Sequence, residues 1–433
     1  MYTMPKMELP IDESYDVIVL GGGPSGCAAA VAAAREGART LIIEAAGFLG
    51  GMGTGGLVPF WCGFSTGGGP FCNTGIGKTV YDKLRVQMPE KTNTFAIDAE
   101  ALKRVYDEIV TEAGVDVLFF TQLAWTEAED GNVRTIVVCN KGGLKAYRAK
   151  VYCDASGDAD LAVAAGGKYM MGNEYGETQP ATMCFTLTNC NLENRKSDHV
   201  QFVDREKYPL IIDNHLVNNI VGEGAVGFNA GHMYYVDSTD PVNASKTMMK
   251  GRQLAHQLTE CVRNSEPETY GNAFLASTAC LLGARESRRM ICDFMVTIED
   301  YKNRSIYPDE IARSCYNVDV HSTPSEKKAR LEGKLTNFAQ YNGKVTYQPG
   351  ESFGVPYRCL TPVGVKNVIV AGRTICSDRG ANGSCRVMAT CFATGEAAGI
   401  ASYMALSQPE TDFHQIDTDA LRAKRKQYGA FIK

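Results

Sequence analysis

The apolar positions near the start of the chain are spaced as a strand, a turn, a helix and a second strand. Residues 15–20 (YDVIVL) form a short apolar run, and residues 25–36 are rich in alanine and other small side chains. Gly37 is a stop signal for that helix. Residues 41–43 (LII) form a second buried run, which ends at Glu44. This order predicts a β-α-β unit.

Three glycines in the predicted turn, Gly21, Gly23 and Gly26, have the spacing G-x-G-x-x-G. The first permits a tight turn, the second lets the backbone approach a pyrophosphate, and the third lets helix and strand pack closely. The helix that follows directs free N–H groups and its positive dipole end at the phosphates. Glu44 stands where a carboxylate accepts the ribose hydroxyls. The motif predicts a dinucleotide site and leaves open whether the ligand is a nicotinamide or a flavin.

Two other glycine-containing segments do not predict a nucleotide site. Gly222, Gly224 and Gly227 repeat the spacing, but the residues after them predict a strand or loop instead of a helix. Residues 77–79 (GKT) resemble the end of a phosphate loop, yet Cys72 stands where that loop needs its first glycine. The sequence therefore predicts no nucleoside-triphosphate site.

Later segments supply the rest of the predicted organisation. They are a meander with its turn at residues 129–132, a strand at 151–160 that runs into an Ala-Ser-Gly-Asp turn, an alternating strand at 181–190, a helix at 245–264, a strand at 367–373 and a charged surface helix at 418–429. Another helix is predicted to begin at Arg386, with Ser384 as its N-cap residue. The N-terminus of that helix would present unpaired N–H groups and a positive dipole.

The composition is that of an ordinary globular protein, and it limits the partners. The 433 residues carry a net charge of -5, with a pI near 5.8, which argues against a surface built for nucleic acid or anionic lipid. No apolar stretch approaches the ~20 residues that span a bilayer, and the N-terminal residues have no signal-peptide core. We therefore expect a cytoplasmic protein without a membrane partner.

The cysteines give two alternatives. There are 15, scattered without a C-x-x-C pair or an iron–sulfur run. In a reducing compartment most are expected to be free and buried. The alternative is a redox-active pair, Cys62 with Cys72 or Cys385 with Cys391, in the glycine-rich segments near the predicted ligand. No metal site is predicted.

Several blocks of sequence resemble one family. Residues 21–26 (GGGPSG), 50–56 (GGMGTGG), 285–289 (RESRR), 356–358 (PYR) and 386–391 (RVMATC) occur in the order typical of bacterial FAD-dependent oxidoreductases of the glutathione-reductase-like superfamily. The resemblance covers nearly the whole chain. It implies an α/β fold with a Rossmann-like FAD-binding domain of three layers (ββα), into which an α+β substrate domain is inserted. The expected boundaries are 14–175 and 355–406 for the FAD-binding domain, 176–354 for the substrate or cap domain and 407–433 for a C-terminal helical tail.

The resemblance implies FAD as the cofactor. No histidine precedes residue 199, which favours non-covalent binding over attachment to an N-terminal loop. The residues implied to bind FAD are Gly21, Gly23, Pro24, Ser25, Gly26, Glu44, Gly51, Met52, Gly53, Thr54, Leu123, Ala124, Ser156, Gly157, Asp158, Gly372, Arg373, Ser384, Arg386, Val387 and Met388. The helix end near Arg386 would stabilise the negative charge that flavin gains on reduction.

Arginines are the leading candidates on the substrate side of the flavin. An arginine fork can clamp a carboxylate or polarise a carbonyl, and the resemblance implies such a position for Arg288 and Arg358. Tyr357, Arg379 and His232 are further catalytic candidates, His232 as a general acid or base. The alternative is a structural role, such as an interdomain ion pair or a histidine of the core.

We expect an enzyme, an FAD-dependent dehydrogenase or reductase. It would transfer a hydride between flavin N5 and a small polar metabolite, which is an alcohol, an amine or an activated alkene. The alternative is a flavin electron-transfer component that relays electrons to a protein or thiol partner. NAD(P)H or an external electron acceptor, and a second copy of the chain, are partners that the sequence leaves open.

Overall fold

The computed structural model describes residues 6–66, 68–89, 92–195, 204–213, 215–334 and 346–433. Within these ranges the strands are β1 (Ile11–Asp12), β2 (Val17–Leu20), β3 (Thr40–Ile43), β4 (Asp116–Leu118), β5 (Gln122–Glu129), β6 (Asn132–Asn140), β7 (Gly143–Tyr147), β8 (Val151–Asp154), β9 (Tyr169–Met170), β10 (Ala181–Thr182), β11 (Phe185–Thr188), β12 (Leu216–Gly222), β13 (Ala225–Ala230), β14 (His232–Met233), β15 (Phe274–Thr278), β16 (Arg289–Met290), β17 (Glu310–Ser314), β18 (Phe353–Pro356) and β19 (Val368–Val370). The helices are α1 (Pro24–Glu36), α2 (Ile76–Gln87), α3 (Ala99–Glu112), α4 (Asp160–Ala164), α5 (Pro241–Ser265), α6 (Pro267–Tyr270), α7 (Ile298–Asn303), α8 (Pro324–Leu331), α9 (Arg379–Cys385), α10 (Met388–Ala405) and α11 (Thr418–Gln427).

A five-stranded parallel sheet forms the centre of the first core. Its strand order is β19-β8-β2-β3-β4, with β2 paired to β3 on one side and to β8 on the other. Strands β2, β3 and β8 are buried along their whole length. This explains why their sequences are mostly apolar runs without alternation. The predicted β-α-β unit is confirmed, and Gly37 ends α1 in the left-handed conformation.

An antiparallel meander packs on the same core. Strands β5, β6 and β7 pair in order, and β1 adds to β7 in parallel. The β5–β6 turn has positive φ at Asp130 and Gly131, 49° and 79°, as a tight hairpin requires. Val133, Ile136 and Val138 of β6 belong to the core of the parallel sheet. Meander, parallel sheet and the helices α1 and α10 are the three layers of the predicted ββα domain.

Two glycines bring helix α10 against helix α1. A Cβ at Gly395 would lie 2.1 Å from the carbonyl oxygen of Ser25, and one at Gly399 would lie 2.1 Å from that of Ala29. Only glycine permits so close an approach of two backbones. The pairing brings the C-terminal part of the sequence to the β2–α1 turn.

A second hydrophobic core lies in the segment between the two halves of the first. Its fully buried residues run from Ala181 to Ala279, on the sheet β12-β13-β11-β15 and on α5. Phe185 and Phe228 stack within it, with ring centroids 4.9 Å apart. The predicted fold class is confirmed. The boundaries 176 and 354 remain predictions, because β16 pairs with β9 and β17 pairs with β18 across them.

Three predicted elements have different bounds in the structure. Helix α5 starts earlier, at Pro241, a residue well suited to the first helical position. The strand predicted at 181–190 is divided into β10 and β11, because these pair with β14 and β13 in different sheets. Helix α10 begins at Met388 rather than Arg386, because Val387 is extended (φ -69°, ψ 149°).

The two glycine segments that we excluded are not strand-to-helix turns. Residues 222–227 lie in the β12–β13 hairpin, and residues 77–79 lie inside α2. The predicted C-terminal helix is α11, and its Leu421 and Arg425 are buried against the body of the protein. Among the residues described, no helix combines the length and the apolar character needed to cross a membrane.

Candidate active site

The turn after β2 has two closely packed glycines and one that faces open space. A Cβ at Gly26 would lie 1.8 Å from the carbonyl oxygen of Gly21, and a Cβ at Gly21 would lie 2.5 Å from that of Ala155. A Cβ at Gly23 meets no heavy atom within 4 Å. Helix α1 begins here at Pro24, without a side-chain cap. Backbone N–H groups and free space therefore coincide where a pyrophosphate would bind.

Glu44 is held against this turn. One of its carboxylate oxygens accepts the N–H of Gly22 at 2.6 Å. The backbone N–H of Thr121 donates to the carbonyl oxygen of Glu44 at 3.0 Å, which brings the start of β5, with Leu123 and Ala124, to the same edge of the sheet. The residues predicted for the adenosine half of the cofactor therefore lie together.

Residues 50–56 lie across the glycine turn. A Cβ at Gly51 would lie 3.2 Å from Cα of Gly23, and a Cβ at Gly53 would lie 3.1 Å from Sδ of Met388. Residues Gly51–Gly53, with Met52 between the glycines, form a 3-10 turn, and the Thr54 hydroxyl donates to the carbonyl of Leu49 at 2.7 Å. This segment forms a continuous wall from the β2–α1 turn to the start of α10.

The turns that follow β8 and β19 meet α1 from the other side. A Cβ at Gly372 would lie 2.5 Å from Oγ of Ser25. The Ser156 hydroxyl donates to the buried carboxylate of Asp154 at 2.7 Å. The carboxyl ends of β2, β3, β8 and β19 thus converge, and in open α/β sheets ligands bind at such ends.

Arg373 and Asp158 are bound to each other. Arg373 Nη2 lies 3.0 Å from Asp158 Oδ1, and Arg373 Nε donates to the carbonyl of Gly157 at 2.7 Å. Burial alone would raise the pKa of Asp158, but the charges of Arg373 and Arg288 and the hydrogen bonds of Ser287 and Ser238 together lower that pKa. Because the two side chains form an ion pair with each other, the structure does not require a ligand at either one. Their roles as FAD contacts remain predictions.

The prediction that Ser384 caps the last long helix is wrong. Ser384 lies in α9 and donates its hydroxyl to the carbonyl of Tyr316 at 2.6 Å. Tertiary contacts have taken the hydroxyl that the local pattern assigned to a cap. Helix α10 starts after Val387 with no side-chain cap. The first N–H groups of α10 therefore lack a capping side chain, and Met388, the first residue of the helix, is buried.

Three histidines from distant parts of the chain lie together, and we call His215, His232 and His321 the histidine cluster. The ring centroids of His215 and His232 are 4.4 Å apart, and those of His232 and His321 are 4.6 Å apart. His215 directly precedes β12, His232 begins β14, and His321 precedes α8. Of the three, only His232 was a predicted catalytic residue.

His232 is oriented by a carboxylate. Its Nδ1 lies 2.5 Å from Oδ2 of Asp213. An ionised carboxylate only accepts, so Nδ1 carries the hydrogen and Nε2 carries the lone pair. Nε2 is buried and has no hydrogen-bond partner. A lone pair of this kind, on an imidazole fixed through its other nitrogen, is the arrangement of a general base.

Two arginines connect the histidine cluster to the convergent strand ends. Arg285 Nη2 lies 3.2 Å from Nε2 of His215. Arg386 Nη2 lies 3.1 Å from a carboxylate oxygen of Asp319, whose other oxygen lies 3.0 Å from Nε2 of His321. Because Arg386 stands just before α10, the cluster adjoins the uncapped start of that helix.

Burial and neighbouring charge keep the cluster neutral. Burial, and then the charge of Arg285, lower the pKa of His215 to about 2 and that of His321 to about 4. Burial also lowers the pKa of His232, against the opposing effect of Asp213. Burial alone would raise the pKa of Asp213, but its bond to His232 holds it at about 2. At neutral pH the imidazoles are therefore unprotonated bases.

A profile of the family described as "FAD dependent oxidoreductase" matches residues 16–424. The chain belongs to this family. It is therefore an FAD-dependent enzyme, and the resemblance of its sequence blocks to that family is confirmed. The residues present fit the cofactor, since the open space beside Gly23 and the uncapped start of α10 suit a pyrophosphate and an electron-rich ring.

Solved structures with similar folds are distant in sequence. A geranylgeranyl bacteriochlorophyll reductase-like protein from Thermoplasma acidophilum is 12% identical over 97% of this chain and 83% of its own, with a TM-score of 0.46. The hydroxylase OxyS from Streptomyces rimosus is 11% identical over 95% of this chain and 66% of its own, with a TM-score of 0.44. A triple mutant of the flavin-dependent brominase Bmp2 is 12% identical over 95% of this chain and 84% of its own, with a TM-score of 0.47. Similarities at these TM-scores do not indicate a substrate or a mechanism.

Two arginines predicted to contact substrate of this FAD-dependent enzyme bind carboxylates instead. Arg288 Nη1 lies 3.2 Å from Asp160 Oδ1, and its guanidinium lies over the ring of Tyr169. Arg358 forms a two-point ion pair with Asp309, at 2.9 and 3.2 Å, and its side chain is 45% exposed. Such ion pairs are the structural alternative that the sequence left open, and contact of Arg288 or Arg358 with substrate stays a prediction.

Tyr357 and Arg379 also have partners within the protein, and their catalytic roles stay predictions. The Tyr357 hydroxyl is buried and donates to the carbonyl of Phe413 at 2.9 Å. Arg379 is buried between the carboxylates of Glu286 and Glu326. Tyr357 thus joins the segment after β18 to residue 413, and Arg379 joins α9 to Glu286 and to α8.

Sequence reasoning missed His215, His321 and the acids beside the cluster. One signal was present, since Asp213 and Asp319 each stand two residues before a histidine. An Asp-x-His pair places a carboxylate near an imidazole, but each pair alone is too common to indicate a site. Arg285 is one of the arginines of the 285–289 block that the resemblance places on the substrate side of the flavin, but its position beside the histidines was not predicted.

Neither of the two cysteine pairs that we considered forms a disulfide among the described residues. The described cysteines are all free thiols, and Cys72 lies beside Cys315 rather than Cys62. Burial raises the pKa of Cys62 and of Cys391 to about 12. Because the thiolate is the reactive form, these thiols are poorly suited to a relay of electrons.

The histidine cluster also has the composition of a metal site. One ring nitrogen from each histidine lies within 4.8 Å of the other two. Two features oppose a cation there. The rings of His215 and His232 stack within 14° of parallel, so their in-plane lone pairs run side by side, and the Arg285 guanidinium donates to His215. The geometry favours proton transfer over metal coordination.

Proposed function

We propose that this enzyme oxidises an alcohol or amine carbon of a small polar metabolite, with His232 as the proton acceptor. The observation that carries the proposal is the buried lone pair of His232 Nε2, which Asp213 orients and which has no hydrogen-bond partner among the described residues. A buried polar atom without a partner costs free energy unless a ligand uses it.

FAD would be held by the glycine turn at Gly21–Gly26, by Glu44, by residues 50–56 and by the start of α10. When bound, FAD supplies at N5 the acceptor for the hydride that leaves the substrate carbon. The uncapped N-terminus of α10 and the nearby charge of Arg386 stabilise negative charge at this end of the site.

The chain's own residues handle the proton. Asp213 keeps the hydrogen of His232 on Nδ1, so that Nε2 can accept the O–H or N–H proton of the substrate. The imidazolium that results is stabilised by the same carboxylate. The hydride carries two electrons and one proton from the substrate carbon to FAD, and the second proton stays on His232. The substrate leaves as the carbonyl or imine.

The state of the cluster favours oxidation over reduction of an alkene. Reduction needs an acid that delivers a proton, but the lowered pKa of His232 keeps this group unprotonated at neutral pH. The buried thiols near the site disfavour the thiol-relay alternative for the same kind of reason, because their raised pKa values remove the reactive thiolate. Non-covalent FAD and reoxidation by NAD(P)H or an external acceptor remain predictions.

The test is anaerobic mixing of the yellow holoenzyme with separate panels of alcohols, hydroxy acids, amines and enoates. Oxidation predicts that at least one alcohol, hydroxy acid or amine bleaches the visible flavin absorbance. If none does, while enoates reoxidise the dithionite-reduced enzyme, the proposed direction is wrong. If only dithiols bleach it, the relay function replaces this one.

A further inference from the structure

Arg285 differs from the other buried arginines in its surroundings. Its residue is 7% exposed, and no carboxylate of the described residues lies within ion-pair distance of its guanidinium. The other arginines that are equally buried each pair with a glutamate: Arg289 and Arg379 with Glu286, Arg313 with Glu310, and Arg425 with Glu396. Among the residues that the structure describes, no carboxylate neutralises the buried charge of Arg285 by direct contact.

The bonds of Arg285 within the protein are to neutral groups. Nη1 donates to the carbonyl of Pro180 at 2.7 Å, and Nη2 donates to Nε2 of His215. Burial lowers the pKa of Arg285 to about 10, against an opposing effect from Asp319. Asp319 is itself occupied by Arg386 and His321. Burying an unpaired ion costs several kcal/mol, so a fold that keeps one leaves a place for a counter-ion.

The guanidinium of Arg285 is separated from His232, the proposed proton acceptor, by the ring of His215. Arg285 contacts His215, and the His215 ring stacks on that of His232 with centroids 4.4 Å apart. A planar guanidinium matches a carboxylate in shape, and the pairing is stronger in a buried site. A ligand that reached both groups would carry its carboxylate close to the carbon that is oxidised.

We propose that Arg285 binds the carboxylate of the substrate, and that the substrate is a short hydroxy acid whose hydroxyl faces His232. This inference rests on the proposed function, because it uses His232 as the group that meets the hydroxyl. Neutralisation of Arg285 by the carboxylate also removes the charge that weakens the basicity of the cluster. Substrate binding thus makes His232 a better base at the moment when it is needed.

Binding of a carboxylate that cannot be oxidised tests this proposal without turnover. Oxamate is titrated into the holoenzyme, and the visible flavin spectrum and the thermal midpoint are recorded. Inorganic phosphate and ethylene glycol are titrated in parallel. We expect saturable binding of oxamate by the wild type, and about 30-fold or more weaker binding by Arg285→Gln, since a buried charged partner is lost. Arg134→Gln removes an exposed arginine of the same charge and is expected to bind oxamate like the wild type.

Three outcomes overturn the inference. These are equal binding of oxamate by Arg285→Gln, binding of phosphate but not of oxamate, and binding of neither anion. The bleaching panel separates this inference from the proposed function. If neutral alcohols bleach the flavin and hydroxy acids do not, the oxidation stands and the carboxylate site is wrong. If oxamate binds through Arg285 but no alcohol, hydroxy acid or amine bleaches the flavin, the anion site stands and the oxidation is wrong.

Discussion

His232 and Asp213 are joined by a 2.5 Å contact between Nδ1 and Oδ2, and the other ring nitrogen of His232 is buried without a partner. The pair comes from segments on either side of the β12–β13 hairpin, which brings them together. A histidine that only filled the core would be expected to have both nitrogens satisfied. The contact therefore points to proton transfer, and its loss has a kinetic signature.

His232→Asn is expected to lower the rate of flavin bleaching by about 10²–10⁴-fold at saturating substrate, because the proton acceptor is gone. The substrate concentration at half-saturation should change little. Asp213→Asn should also be slow, since the amide no longer fixes the hydrogen on Nδ1. His256→Asn, at an exposed position of α5, is the matched control. Bleaching by His232→Asn at the wild-type rate would contradict the assignment.

Arg285 and Arg425 should respond oppositely to the same substitution. Arg425→Met leaves Glu396 buried and unpaired, and is expected to lower the free energy of unfolding by about 3–5 kcal/mol. Arg285→Met removes an unpaired charge at the cost of two hydrogen bonds, to Pro180 and to His215, so a loss of about 1–2 kcal/mol at most is expected. Urea unfolding of the FAD-loaded proteins measures both. Equal losses would show that Arg285 is compensated in the ligand-free protein.

Acid should destabilise the protein through the histidine cluster. The pKa of His215 is lowered from 6.5 to about 2, and that of His321 from 6.5 to about 4. Below pH 6.5 the unfolded chain binds protons that the folded protein does not. The free energy of unfolding therefore falls as pH decreases from 6.5 towards 4, by up to about 1.4 kcal/mol per pH unit for each imidazole. Arg285 and Asp319 face these rings, and both stay charged across most of this range.

Urea unfolding at several pH values measures this slope. His215→Gln should have a shallower slope than the wild type between pH 6.5 and 4. His414→Asn serves as a control of opposite sign. Burial alone would lower the His414 pKa, but the hydrogen bond and charge of Asp293, with Val365 and Asp412, together raise it. The stabilisation by His414 is present below pH 6.5 and is lost as the pH rises above it. Identical slopes for His215→Gln and the wild type would show that the cluster is protonated in the folded state.

Removal of metal ions should leave the enzyme active. The Arg285 guanidinium donates to His215, and the stacked rings of His215 and His232 do not converge on one point. The holoenzyme is dialysed against EDTA, its metal content is measured by mass spectrometry, and bleaching is compared before and after. A loss of rate that Zn²⁺ or Mn²⁺ restores would replace the proton-acceptor role of His232 with a metal site.

The residues that we predict to hold the cofactor lie together in the structure, because their arrangement depends on local backbone geometry. Gly21 and Gly26 are required by close contacts within one turn, and Glu44 follows at the end of the next strand. The spacing of such residues is a property of one β-α-β unit. Ser384 shows the limit of this reasoning, since a distant carbonyl, that of Tyr316, took the hydroxyl that the local pattern assigned to a cap.

Of the proposed substrate half, His232 was predicted but the histidine cluster was not, because the members of the cluster are neighbours only in space. His215, His232 and His321 lie on separate elements, and each alone has the properties of an ordinary core histidine. The 285–289 block shows a second reason. Its Arg285 is directed to the cluster and its Arg288 to Asp160, and sequence spacing does not determine which arginine faces the ligand.

The FAD content of Gly23→Val tests whether the enzyme binds FAD at the glycine turn after β2. Gly23 is extended (φ -70°, ψ -177°), and an added Cβ meets no protein atom within 4 Å, so this variant should fold like the FAD-free wild type. A valine side chain there fills the space assigned to the pyrophosphate. The measurement is the ratio of bound FAD to protein after gel filtration, with far-UV circular dichroism as the check on folding. If the glycine turn holds the FAD pyrophosphate, we expect stoichiometric FAD in the wild type and almost none in a folded Gly23→Val. Full FAD content in Gly23→Val, or a colourless wild type that takes up no FAD, would contradict this expectation.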